Sequence, residues 1–234
     1  MLASTPESCR ARHPRLGPQN RGSIDRPTLT VVKVGGGVGA DALPALCSRL
    51  DELGERRPLL VVPGGGDFAD AVREADRRFG LSAATSHRMA ILGMEQFGWL
   101  LSELIPGPRT EVLLPAGLPL DELPASWQVT SDSIAAWVAV RAHAGRLVLI
   151  KGVDGLYAEW PPRGEPLTRL TVDELAALRP GGVDEYLPTV LERASFETWV
   201  ISGRDPERLV ELLDRGTTIG TRIAPARLLP SRHE

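Results

Sequence analysis

Val31-Val32-Lys33-Val34-Gly35-Gly36-Gly37-Val38-Gly39 decides the reading of this chain. A short β-branched run carries one lysine into three consecutive glycines, which predicts a buried strand ending in a loop that lets another group approach its backbone closely. The same design returns at Leu59–Val62, followed by Pro63-Gly64-Gly65-Gly66. A third apolar run, Leu147–Ile150, ends in Lys151-Gly152. Lys33 and Lys151 are the only lysines among the 27 basic residues; the rest are arginines. A lysine is a compact point charge on a flexible stem, suited to a phosphoryl group, whereas arginine presents a rigid fork. Two glycine loops and two lysines therefore point to a phosphate chain.

Working outward, apolar strand-like runs alternate with amphipathic segments. Strands are expected at 29–34, 58–62, 146–150 and 197–202, with shorter ones at 111–115, 127–129 and 217–220. Helices are expected at 40–54 (closed by Gly54), 67–79 (ending at Gly80), 82–104, 134–145 and 181–194. Thr171 and Glu174 form a capping box for a short helix, and Asp205-Pro206 opens a last helix over 207–216. The pattern predicts an α/β fold with a mainly parallel central sheet covered on both faces.

The 234 residues suit one large domain, read here as 27–234. Residues 1–26 are rich in Arg, Pro, Ser and Gly and read as a disordered basic tail of net charge +3, against −6 for the remainder. That balance gives no case for nucleic acid as partner. Cys9 and Cys47 make neither a metal nor a disulfide pattern. No apolar run reaches the ~20 residues of a membrane helix, and no signal segment opens the chain, so a cytoplasmic protein with no membrane partner is expected.

Each candidate residue has a plain alternative. Gly35–Ala40 matches a weak dinucleotide pattern, but the second strand ends in Pro-Gly-Gly-Gly where a ribose-binding acid belongs. A tight turn and a phosphate cradle both stay open. Lys33 inside a strand is costly unless it has a task; Lys151 shares its setting. Asp132, in the Thr130-Ser131-Asp132 cluster, fits a helix cap and also an anion that fixes and keeps protonated two lysines. Asp154-Gly155 with Tyr157 fits a turn or a nucleotide-side loop. His87, Arg73 and Arg88 fit an anion-binding helix face or a solvated one, and Met89 and Met94 fit the core.

KVGGG, PGGG, SD at a helix start, KGVDGLY and a late GT together resemble the amino acid kinase family over roughly residues 28–222. The resemblance implies a three-layer αβα sandwich, ATP over the C-terminal half of the sheet, Mg²⁺ with it, and a homo-oligomer. It implies Lys33 and Lys151 on the phosphates with Asp132 holding them. It puts Gly35, Gly36, Gly37, Asp154, Gly155 and Tyr157 on the nucleotide side. Gly64, Gly65 and Gly66, with Arg73, His87 and Arg88, would face a small-molecule phosphate acceptor; no metal-ligating side chain is expected. GGGDFADAVREADRRFGLS, HRMAILGMEQFG and VDEYLP are similar to the [5-(aminomethyl)furan-3-yl]methyl phosphate kinase branch. Uridylate- and acetylglutamate-type kinases are the alternatives, as is a non-catalytic oxyanion-binding protein on the same fold. One departure stands out: many kinases of this fold carry a third lysine on a late helix, where this chain has Leu187-Pro188-Thr189. Arg193 or Arg88 could substitute.

Overall fold

The computed structural model describes residues 28–226. The tail 1–26 lies outside them. Seven strands form one sheet: β1 (Thr30–Val34), β2 (Leu59–Pro63), β3 (Thr110–Val112), β4 (Arg146–Lys151), β5 (Arg169–Leu170), β6 (Glu197–Ser202) and β7 (Thr221–Ile223). Their order is β3-β2-β1-β4-β6-β7-β5. Every pairing is parallel except β6 with β7. Seven α-helices accompany them among the described residues: α1 (Leu43–Gly54), α2 (Gly66–Phe79), α3 (Ala83–Leu104), α4 (Ser131–Arg141), α5 (Val172–Leu178), α6 (Leu187–Leu191) and α7 (Glu207–Arg215).

Two apolar cores, one on each face, make three layers. Val31, Leu60, Val62, Leu147, Leu149 and Val200 pack with α4, α5, α6 and the Ile91–Met94 stretch of α3. Val32, Val34, Val61, Val148, Ile150 and Ile201 pack with α1, α7 and Phe97 and Leu101 of α3. Side chains alternate along a strand, so Lys33 points to the α4 face, and Lys151, two residues beyond Leu149, does the same. The register sets Lys33 beside Val62 on one neighbour and Leu149 on the other. Both glycine loops and Lys151 therefore leave the sheet at one level, on the carboxyl edge where open parallel sheets bind ligands.

Several expected elements differ. Residues 127–129 are not a strand; Val129 N–H donates to Ser126 O within a turn, and the Trp127 indole donates to Asp76 (2.7 Å). Residues 217–220 are loop, and the strand begins at Thr221, where pairing with Val200 starts. Of the 111–115 stretch only Glu111 and Val112 are strand, in β3 (Thr110–Val112), and a 3-10 turn follows at Pro115–Gly117. The edge strand β5 was not expected. The helix anticipated over 181–194 shrinks to Leu187–Leu191. Gly182 takes φ +102°, and Pro188 is tolerated only in a first turn, so the helix starts just before it. Glu55 follows α1 with right-handed backbone angles (φ −62°), so Gly54 is the last residue of the helix but not a left-handed cap. Its bareness serves packing instead, since a Cβ there would lie 1.9 Å from Thr110 Oγ1. Gly80 does end α2 in the left-handed region at φ +63°.

Candidate active site

The site grows from the ends of β1 and β4. Lys33 Nζ lies 2.9 Å from Asp132 Oδ1, and Lys151 Nζ lies 2.5 Å from Asp132 Oδ2. Asp132 is in the first turn of α4, where the positive end of the helix dipole also favours an anion. Lys33 and Asp132 are nearly fully buried, at 4% and 2% exposure. Burial alone would push the Asp132 carboxyl up, but the two ammoniums outweigh it and hold it at about 2. For Lys151 burial wins: although Asp132 supports its charge, desolvation and the Lys33 charge lower its ammonium to about 8. The carboxylate is thus a shared counter-ion that holds two like charges side by side.

Glycine loops enclose this trio by backbone-on-backbone packing. A Cβ on Gly36 would sit 2.2 Å from Gly66 Cα, and one on Gly152 2.0 Å from Gly37 O. A Cβ on Gly35 would meet Ile150 O at 2.8 Å and Lys33 Nζ at 3.2 Å. Gly35 N–H donates to Ile150 O and Gly64 N–H to Val34 O, so those two amides lock the loops and are not free for a phosphate. The Cβ direction of Gly37 is nearly open, with Gly152 N at 3.8 Å. The first loop continues as a 3-10 turn, Gly36–Val38, and α1 begins only at Leu43. The phosphate-facing amides would come from this turn, not from a helix start. Gly36→Ala is expected to force the two loops apart and lower activity by at least ~10-fold, because a misplacement of about 1 Å is enough to cost that much. Steady-state rates with a circular-dichroism melt check it.

The other candidate residues divide. Gly65, Arg73 and His87 line a cleft between α2, α3 and the start of α4, together with Trp127, Met94 and Ile134. The Arg73 guanidinium lies 5.2 Å above the Trp127 ring and also pairs with Asp70. Burial lowers the His87 imidazole, against a hydrogen bond with the Ser126 backbone. Its Nε2 is enclosed without a partner. Arg88 is exposed on the outer side of α3 and does not line the cleft. Met94 is both core and cleft wall. Past the end of β4, Asp154 is held by Arg208 of α7 at 2.7 Å. Gly155 packs on Thr221, whose hydroxyl accepts from Leu156 N–H. Tyr157 is buried and its backbone bridges to Gly181. Thr189 lines a second cavity of about 370 Å³ between α5 and α6, with Leu175, Arg179 and Val183. Arg193 is exposed just past α6.

Asp184, Trp127 and Arg208 were not among the sequence candidates. Asp184 had no signal of its own, since it stands in an acidic run beside Glu185. Trp127 stood in a stretch misread as strand, and Arg208 looked like one arginine of many on an amphipathic helix.

The family profile of the amino acid kinase family matches this chain over residues 28–112 and 112–195, which include both glycine loops, Lys33, Asp132 and Lys151. The chain belongs to the amino acid kinase family. This amino acid kinase is 29% identical over 213 residues to the [5-(aminomethyl)furan-3-yl]methyl phosphate kinase of Methanocaldococcus jannaschii, covering 83% of the chain and 97% of that relative. It is 25% identical, again over 213 residues, to the uridylate kinase of Thermococcus kodakarensis, covering 79% and 92%. The UMP kinase structure from Bacillus anthracis superposes with a TM-score of 0.70 at 15% identity, covering 86% and 98%. The amino acid kinase described here is accordingly a phosphotransferase that uses ATP and a small-molecule acceptor.

Proposed function

We propose that this kinase passes the γ-phosphoryl group of ATP to a small phosphomonoester of the [5-(aminomethyl)furan-3-yl]methyl phosphate kind, giving a diphosphate. The observation that carries the reading is the carboxylate of Asp132 shared between the chain's two lysines. Such a trio presents two fixed positive charges to a transferring phosphoryl group and offers no base. A phosphate acceptor needs none, because its oxygen is already an anionic nucleophile. That oxygen attacks the γ-phosphorus, the bond to the β-bridging oxygen breaks, and ADP leaves carrying the electron pair. Lys33 and Lys151 neutralise charge on the transferring group, and positioning plus electrostatics supply the rate. The nucleotide is assigned to the Asp154–Tyr157 side and the cavity beside Thr189. The acceptor is assigned to the cleft of Gly65, Arg73, His87 and Trp127, whose apolar floor suits a small ring and whose arginine suits its phosphate. The cleft holds only about 30 Å³ of free space, so entry of a ring moves Arg73 off Trp127.

Among the described residues no cluster of three or more His, Cys, Asp or Glu side chains could hold a metal. The Asp132 oxygens are engaged by the lysines. Mg²⁺ is therefore assigned to the nucleotide's own phosphates, and no step here is routed through a protein-bound ion.

Phosphorus NMR with Mg-ATP tests the reading, using the furan-methyl phosphate, UMP, carbamate and N-acetylglutamate as acceptors. A new diphosphate doublet pair with the furan phosphate alone is expected. Transfer to UMP or N-acetylglutamate instead would replace the acceptor; intact ATP with all four would replace the activity with binding. A pH profile adds a second check. Lys151 must be charged to act, so kcat/KM is expected to fall above pH about 8, the value set by its burial. Bound phosphates favour the charged form, so the limb in kcat should lie higher.

A homodimer is part of the same proposal. Arg88, Leu92, Gln96, Trp99, Leu100 and Glu103 are exposed in one stripe along α3, with half-exposed Phe68 of α2 beside it. The stripe is nearly palindromic about Gln96. An antiparallel crossing of two copies sets Leu92 against the partner's Leu100 and Arg88 near the partner's Glu103, pairing opposite charges. Sedimentation should give twice the chain mass, and Leu92→Glu with Leu100→Glu should halve it. No described helix is long and apolar enough to cross a membrane.

A further inference from the structure

The N-terminus of α4 carries Asp132, yet its own cap residue does not cap it. The Thr130 side chain makes no capping bond. A carboxylate from a distant loop takes its place. Asp184 Oδ2 accepts from Thr130 N–H (2.9 Å), Thr130 Oγ1 (2.8 Å) and Ser133 N–H (2.9 Å), and Asp184 Oδ1 accepts from Ser133 Oγ. Four donors on the residues flanking Asp132 thus converge on one carboxylate. Tyr186 N–H, two residues further, donates to Gln128 O and ties the same loop to the chain just before α4.

We propose that Asp184 is a positioning residue that fixes the first turn of α4, and with it Asp132, at the right depth between Lys33 and Lys151. Two arguments support it. First, Asp132 reaches both ammoniums only if the turn that carries it is held in place, and the four bonds from Thr130 and Ser133 to Asp184 hold that turn on either side of it. Second, the charges balance: two ammoniums are accompanied by two carboxylates, Asp132 in contact with both and Asp184 acting on Lys151 through its charge. Burial and the nearby Asp132 charge push the Asp184 carboxyl up, while the bonds from Ser133 and Thr130 hold it down. Its charge in turn supports the ammonium of Lys151. Asp184 also lines the 370 Å³ cavity. Whatever occupies that cavity touches the residue that sets the catalytic carboxylate.

The catalytic part of this inference rests on the kinase reading above, and the geometric part does not. Because the chain has two lysines, labelling them with ¹³C at Cε and ¹⁵N at Nζ gives two resonances, assignable with Lys33→Arg and Lys151→Arg. Asp184→Asn is expected to lower kcat by ~10- to 100-fold and to move the Lys151 titration midpoint down by about one pH unit. Thr130→Val with Ser133→Ala keeps the charge and removes two donors. It should lower kcat by ~10-fold while the lysine midpoint stays put, and it decides the matter if Asp184→Asn does not fold. Folded variants with unchanged kcat and unchanged lysine signals would overturn the proposal. So would a kcat loss that merely follows the melting temperature with wild-type lysine signals. If the wild type transfers phosphate to no acceptor, the lysine titrations still report whether Asp184 positions the trio.

Discussion

Asp132→Asn is expected to lower kcat by about 1000-fold and to destabilise the protein by ~3 to 5 kcal/mol. The stability term follows from burial. Removing one partner of a buried ionic set leaves uncompensated charge in a medium of low polarity, and here two ammoniums lose their shared counter-ion at once. The rate term follows from geometry. One preorganised charge aimed at a transition state is typically worth about 100- to 1000-fold, and Asp132 holds two. The pH dependence carries a sign that identifies the cause. In the wild type the Asp132 carboxyl is held below its usual 3.8, at about 2. Its contribution to stability is therefore present above pH about 4 and lost as pH falls towards 2. Lys151 gives a slope of the same sign for a different reason, since burial makes its charge a cost. Its ammonium is lowered from 10.5 to about 8, so the unfolded chain binds more protons between those values and stability rises with pH across that window. Without Asp132 the Lys151 ammonium gives up its proton more readily, and Asp132→Asn should regain part of its lost melting temperature between pH 7 and 9. Melting curves at both pH values check this. A variant equally unstable at both would mean that a helix cap, not a counter-ion, was lost.

The parts of this arrangement written locally in the chain were legible, and the parts made by distant contacts were not. β1, β2 and β4 are near-continuous apolar runs because both sheet faces are covered, and each ends at a lysine or glycine that breaks the run. Asp132 was readable as a candidate because it opens an apolar helix beside Thr130 and Ser131. What that cluster concealed was the direction of the capping. Thr130 and Ser133 donate to Asp184, more than 50 positions away, and a cap supplied from such a distance leaves no mark in either segment. Gly54 shows the same limit in miniature. A glycine at the end of an amphipathic run reads as a left-handed cap, but here it exists because Thr110 of β3 passes within 1.9 Å of where its Cβ would be. The short strands β5 and β7 owe their extended form to pairing at the sheet edge, and two or three residues carry too little periodicity to announce it. Arg88 failed to reach the cleft because helix α3 has two apolar faces. With Ile91, Met94, Phe97 and Leu101 turned inward, residue 88 falls on the side that carries Leu92 and Leu100.

Lys33→Ala is expected to lower kcat by more than ~100-fold while the fold survives. The two halves of that statement have different origins. Asp132 keeps Lys151 as partner in the variant, so no buried carboxylate is stranded, and the change in melting temperature should be far smaller than for Asp132→Asn. The rate loss is large because Lys33 has no freedom to be anything but a fixed charge. Its stem is buried between Val62 and Leu149, its ammonium rests against Asp132, and the absent Cβ of Gly35 leaves Nζ the space it occupies. A charge so constrained requires no reorganisation when the phosphoryl group moves, which makes it worth more in the transition state than in the bound ground state. ATP binding should accordingly weaken much less than turnover, and single-turnover rates beside an equilibrium ATP titration separate the two. Lys33→Arg should not restore the rate. A planar fork needs more room than one ammonium, and Nζ already sits between the Asp132 carboxylate and Gly35. A folded Lys33→Ala variant with near-normal kcat would remove Lys33 from the chemistry and leave Lys151, with its lowered ammonium, as the sole charge on the transferring group.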